Sequence, residues 1–139
     1  MHVIIDNKGF TFGGKRFTFD LYFLKDDSKV LAPTSGQTFK NIIIEWAEVL
    51  RTITQENSPF FLPYGPDDEW TDCLSASLRK DKIVFNDVRV GREGWAIDFN
   101  DLEEFITSTQ EIYETRLEFP AFAKDDVISA LMNADVNEE

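Results

Sequence analysis

A chain of 139 residues and 16.0 kDa fits one ordinary domain, and its 42% hydrophobic residues, with 13 Phe, 3 Trp and 3 Tyr, supply a sizeable core and exclude a disordered protein. Twenty-six acids against 14 bases give a net charge of −12, which sets the chain against nucleic acid and anionic membrane surfaces and favours a basic partner. No window approaches the roughly 18 apolar residues of a membrane span, polar Asp6, Asn7 and Lys8 stand where a signal peptide is apolar, and the single Cys73 permits no internal disulfide, so a cytoplasmic location is expected.

Val3, Ile4 and Ile5 form a short β-type run. Phe10 and Phe12 precede Gly13-Gly14, after which Phe17, Phe19, Leu21 and Phe23 alternate with Arg16, Thr18, Asp20 and Tyr22, the pattern of a hairpin with one apolar face. Thr34 and Gln37 have capping-box spacing. Phe39, Ile42, Ile43, Trp46, Leu50 and Ile53 then recur at helical intervals and predict an amphipathic helix over 37–55 with Trp46 in the core. The apolar run 60–64, interrupted by Pro63, reads as an ordered loop or an edge segment, and Gly65-Pro66-Asp67-Asp68 as a turn.

Alternation of Leu74, Ala76 and Leu78 with Cys73, Ser75 and Ser77 predicts a strand over 72–79, followed across Lys80-Asp81 by Ile83, Val84 and Phe85. Trp95, Ile97 and Phe99 predict a further strand over 94–99. Leu102, Phe105, Ile106, Thr109, Tyr113 and Leu117 predict a second helix over 101–117, with Asp98 or Asn100 as its cap and Pro120 as its stop. A short third helix is expected over 125–132, and a frayed tail over 135–139. Strands, helix, strands and helices without regular alternation indicate an α+β fold. The expectation is a single domain over 1–139: one antiparallel sheet, including 16–24, 72–79 and 94–99, flanked by two longer helices and a short C-terminal helix.

The charge is unevenly distributed. Residues 1–51 hold six acids and seven bases, a net +1, whereas residues 52–139 hold twenty acids and seven bases, a net −13. Glu56, Asp67, Asp68, Glu69 and Asp72 lie between Arg51 and Arg79 with no base among them, and seven more acids, including Glu93, Glu103, Glu104 and Glu111, lie between Arg92 and Arg116. Such a field either solubilises the chain or recognises a partner. Aromatic rings beside acids suit a protein interface, because the rings supply apolar burial and the charges steer association. The candidate contact residues are therefore Tyr64, Asp67, Asp68, Glu69 and Trp70, with Glu103, Glu104 and Glu111 on the expected second helix. The alternative for the rings is burial in the core, and for the acids of the first helical turn, complementing the helix dipole.

Enzymatic chemistry finds little footing. His2 sits beside the terminus, Cys73 falls within an alternating strand, and there is no phosphate-binding glycine loop, zinc-ligand pair or serine elbow. A calcium loop starting at Asp98 would need Gly at position 103 and Glu at position 109, where Glu103 and Thr109 stand. No metal, cofactor or catalytic residue is assigned.

A small acidic domain with amphipathic helices, the aromatic segment Phe60 to Tyr64 before Asp67-Asp68-Glu69, and the run Trp95-Ala96-Ile97 resembles in general build the immunity proteins of bacterial polymorphic toxin systems, contact-dependent inhibition included. The resemblance implies a non-catalytic cytoplasmic inhibitor that neutralises one cognate toxin domain, often a basic nuclease, by protein–protein binding. The alternatives are a DNA mimic occupying the site of a nucleic-acid-binding protein, and a carboxylate-dependent hydrolase.

Overall fold

The structure, a computed structural model, describes residues 1–6, 8–18, 36–94 and 97–137. The expected strand residues 19–24, the Thr34 capping position and the Trp95-Ala96 pair lie outside the described residues. Among the described residues nine strands form two sheets. The smaller contains β1 (Ile4–Ile5), β2 (Gly9–Phe12), β3 (Lys15–Thr18) and β9 (Asp135–Val136), in the order β3-β2-β1-β9. The larger runs β4 (Phe60–Pro66), β5 (Thr71–Arg79), β6 (Lys82–Val90) and β7 (Ile112–Glu118), with β8 (Phe122–Ala123) pairing the start of β6. Every pair is antiparallel except β1–β9. Helices α1 (Gly36–Arg51), α2 (Leu102–Thr107) and α3 (Lys124–Met132) complete the fold, with a 3-10 turn at Phe99–Asp101 leading into α2.

Two tight turns set the registers. Phe12 pairs Lys15 across Gly13-Gly14, whose φ angles of +57° and +78° suit glycine in a two-residue hairpin loop. Arg79 pairs Lys82 across Lys80-Asp81, where Lys80 itself holds φ +62°. The helical face read from the sequence holds: Phe39, Ile42, Ile43, Trp46, Leu50 and Ile53 are all buried. The helix stops at Arg51, short of Gln55. Lys124 at the start of α3 donates its ammonium to the carbonyls of Arg51 and Ile53, supplying partners for groups that a helix end leaves open.

Aromatic rings join the layers. Phe10 of β2 lies 5.0 Å from Phe39, 5.9 Å from Trp46 and 5.6 Å from Tyr64, so one ring touches α1 and the larger sheet together. Phe12 meets Phe85 at 4.9 Å and Phe119 at 5.6 Å, mostly edge to face. Trp46 is fully buried, and its indole N–H finds no acceptor among the described residues.

Four expectations are corrected. The single antiparallel sheet flanked by helices is two sheets, because the β2–β3 hairpin pairs with β1 and, through it, the chain's C-terminal end, rather than with β4–β7. The helix expected over 101–117 is six residues long, and Ile112–Glu118 is a strand on β6. Thr109, Tyr113 and Leu117 have helical spacing, but Ile112, Tyr113 and Thr115 are β-formers, and pairing them satisfies backbone groups of β6 that a helix would leave open. The strand expected over 94–99 is absent from the described part of that segment. The Gly94 N–H is taken by the Asp67 carbonyl at 2.7 Å and the Ile97 N–H by the Gly94 carbonyl, after which Asp98 accepts the Asn100 N–H and caps the 3-10 turn. The tail does not fray before residue 137: Asp135 and Val136 pair in parallel with Ile4 and Ile5, and the Asn137 N–H donates to Ile5. The third helix lies where expected, and Phe60–Pro66 is the edge strand of the larger sheet. Among the described residues no helix is long and apolar enough to cross a membrane.

Candidate functional site

Antiparallel pairing brings three separate connections to one end of the larger sheet: the β4–β5 turn, the β6–α2 link, and the segment from α2 into β7. Hydrogen bonds hold them together. The Asp67 N–H donates to Trp70 O at 2.9 Å, Gly94 N–H to Asp67 O at 2.7 Å, Gly91 N–H to Glu111 O at 2.9 Å, and the Thr71 hydroxyl to Arg92 O at 2.7 Å. Residues 67–70 and 91–111 contain nine acids and one base, Arg92, so this end of the sheet is strongly acidic. Arg92 pairs with Glu104 at 3.3 Å and lies 5.2 Å from the centre of the Phe105 ring. Among the described residues Glu69, Glu93, Glu103 and Glu111 carry no ion pair. The field reaches α1: burial first, then the charges of Glu48, Glu103 and Asp101, push the Glu45 carboxyl above the usual carboxylate range.

Behind the acidic end an ionic network crosses one face of the sheet. The Tyr64 phenol donates to Asp87 Oδ1 at 2.6 Å and accepts from Arg116 Nη2 at 2.8 Å. The same Nη2 lies 3.3 Å from Asp72 and 3.3 Å from Asp87. Arg89 Nε donates to Asp72 Oδ1 at 3.0 Å, and its guanidinium lies 4.1 Å from the centre of the Trp70 ring. Bulges place two members: the β4–β5 register shifts between Pro63 and Gly65, around Tyr64, and the β6–β7 register shifts around Arg116. Burial, then the bond to Asp87, raises the Tyr64 pKa far above the phenol's ordinary value, so the group remains a donor at physiological pH. Burial alone would lower the Arg116 pKa, but Tyr64, Asp72 and Asp87 outweigh it and the net shift is upward. This is a fixed, satisfied network rather than a poised acid–base pair. It floors a cleft of about 370 Å³ that Lys15, Arg16, Phe17 and Thr18 of β3 also line.

The residues singled out in the sequence divide between these two settings. Asp68 and Glu69 are exposed in the β4–β5 turn, Asp67 is half-buried there, and Trp70 is partly covered by Arg89. Glu103 and Glu104 are exposed in the first turn of α2, and Glu111 is exposed just before β7 rather than on a helix. Tyr64 departs from the display expected of it: it is 4% exposed and bound within the network. Phe61 is buried as well. Two apolar side chains that the sequence reading placed in a helix take over as displayed groups, Ile112 at 43% and Tyr113 at 59% exposure. Their signal was the run Ile112-Tyr113-Glu114-Thr115, rich in β-formers.

Cys73 is buried, and burial first, then Asp72 and Asp87, raises its thiol pKa, which makes it an inert packing group. Among the described residues no group of three or more His, Cys, Asp or Glu side chains is placed to hold a metal ion. Comparison with protein-family models, with curated proteins and with solved structures finds no match to this chain.

Proposed function

We propose that the protein is a non-catalytic cytoplasmic inhibitor that binds a basic protein, a toxin domain of nuclease type, through the acidic end of its larger sheet. The observation that carries this reading is the gathering of nine acids and one base from distant stretches of sequence onto hydrogen-bonded connections at one end of the fold. Holding like charges together opposes folding, and a cationic partner relieves that repulsion on binding. Mimicry of nucleic acid needs carboxylates spaced like phosphates along an extended face, whereas inhibition of a protein needs one acidic patch beside apolar contacts.

The test is capture of the partner from the producing cell, loss of the partner's activity on stoichiometric addition of this chain, and binding kinetics at low and high salt. Electrostatic steering predicts an association rate that falls about tenfold or more as salt rises. Replacing Asp67, Asp68 and Glu69 together by Ala is expected to leave folding nearly intact and weaken binding. A faster dissociation places the turn inside the interface, and a slower association alone places it at the rim. Association independent of salt, with the triple variant binding like the parent chain, would overturn the proposal.

A further inference from the structure

Exposed sheet edges offer unpaired N–H and C=O groups to any extended chain, and proteins ordinarily guard them with proline, burial or charge. In the larger sheet, β8 covers the beginning of β6, and β7 covers the rest and forms the outer edge. Among the described residues nothing pairs with the outer side of β7. Its seven residues include no proline, and six are exposed, Leu117 alone being half-buried. Ile112 and Tyr113 are, with terminal Met1, the exposed large hydrophobic side chains of the described residues.

Charge selects the occupant. Glu111, Glu114 and Glu118 are exposed along this edge and form no ion pair among the described residues, whereas Arg116, the one base of the strand, is turned inward to Tyr64, Asp72 and Asp87. A second copy of the chain would bring glutamates against glutamates, in a molecule whose net charge is −12. An extended segment carrying Lys or Arg meets the opposite: backbone groups and three acids that have no partner strand or ion pair among the described residues, and two apolar contacts.

Resting on the partner reading above, we infer that the outer edge of β7 receives an extended basic segment of the partner as an added strand of the larger sheet.

The probe is an eight-residue peptide of alternating lysine and valine, titrated into the intact protein at low ionic strength. Alongside it run the alternating glutamate–valine peptide and a lysine–valine peptide with alternate amides N-methylated. The inference expects the lysine peptide to bind, the glutamate peptide to fail, and N-methylation to weaken binding about tenfold or more, because backbone bonds are lost at unchanged charge. Amide hydrogen exchange should slow within 112–118. Replacing Glu114 and Glu118 by Lys, both exposed and without an ion pair among the described residues, should weaken the lysine peptide about tenfold while circular dichroism stays unchanged. Equal binding of the N-methylated peptide, or protection confined to 67–69 and 98–104, overturns strand addition and leaves the acidic-end reading standing. Absence of lysine-peptide binding also overturns strand addition; only salt-independent binding of the captured partner, with the Asp67, Asp68 and Glu69 triple variant binding like the parent, would remove the broader reading.

Discussion

The two edges of the larger sheet are built oppositely. β4 carries Pro63 and Pro66, which cannot donate to a neighbouring strand, and every residue from Phe61 to Pro66 is buried. β7 keeps all its N–H groups and leaves six of its seven residues exposed. The edges nonetheless communicate, since Tyr64 of β4 and Arg116 of β7 meet over Asp87 of β6. The contrast teaches that edge position alone decides nothing. What packs on a strand, and whether its donors survive, separates a structural edge from one available for binding.

The sharpest way to break the comparison is to truncate one apolar side chain on each edge. Leu62→Ala, at a fully buried position of β4, should cost about 2–5 kcal/mol in denaturant unfolding, whereas Ile112→Ala in β7 should cost less than about 1 kcal/mol. Equal losses would mean that β7 is covered. The link between the edges is tested next. Tyr64→Phe removes the phenol donor from the buried Asp87 carboxylate and should cost about 1.5–3 kcal/mol, with little change in overall secondary structure. A loss below about 0.5 kcal/mol would show the network to be incidental.

Tyr113→Ser should move stability by no more than about 0.5 kcal/mol, yet speed dissociation of the captured partner. Unchanged kinetics would remove β7 from the interface. The smallest effect concerns the acidic field itself. Because Glu45 is raised in the folded state, its carboxylate is less favourable there than in the unfolded chain. That cost is absent well below the ordinary carboxyl range, where both states are protonated, grows as pH rises from the unfolded value toward the raised folded one, and is fully present above it. Glu45→Gln should therefore raise the melting temperature at pH 7 and leave it nearly unchanged at pH 3. A gain of the same size at both pH values would assign the effect to packing rather than charge.

Local pattern was sufficient where one segment's own periodicity decides its state. The apolar face of α1, the Gly13-Gly14 and Lys80-Asp81 turns, the strand expected over 72–79 and the short helix α3 were legible because neighbouring residues in sequence carry the whole signal. The acidity of the second part was equally legible as composition, and the turn acids Asp68 and Glu69 are exposed as their residue types suggest.

Pairing partners were not legible, because they depend on residues far away along the chain. Residues 112–118 carry both a helical spacing and a run of β-formers, and the open edge of β6 decides between them by satisfying its own backbone groups. Gly94 spends its N–H on Asp67, 27 positions earlier, which directs that segment into a turn instead of a ladder. Tyr64 is an aromatic beside acids in the sequence, but only the folded chain sets Asp87 and Arg116 against its hydroxyl and takes it off the surface. The amount of negative charge is thus a property of the sequence. Its concentration at one end of a sheet exists only after antiparallel pairing has brought the connections together.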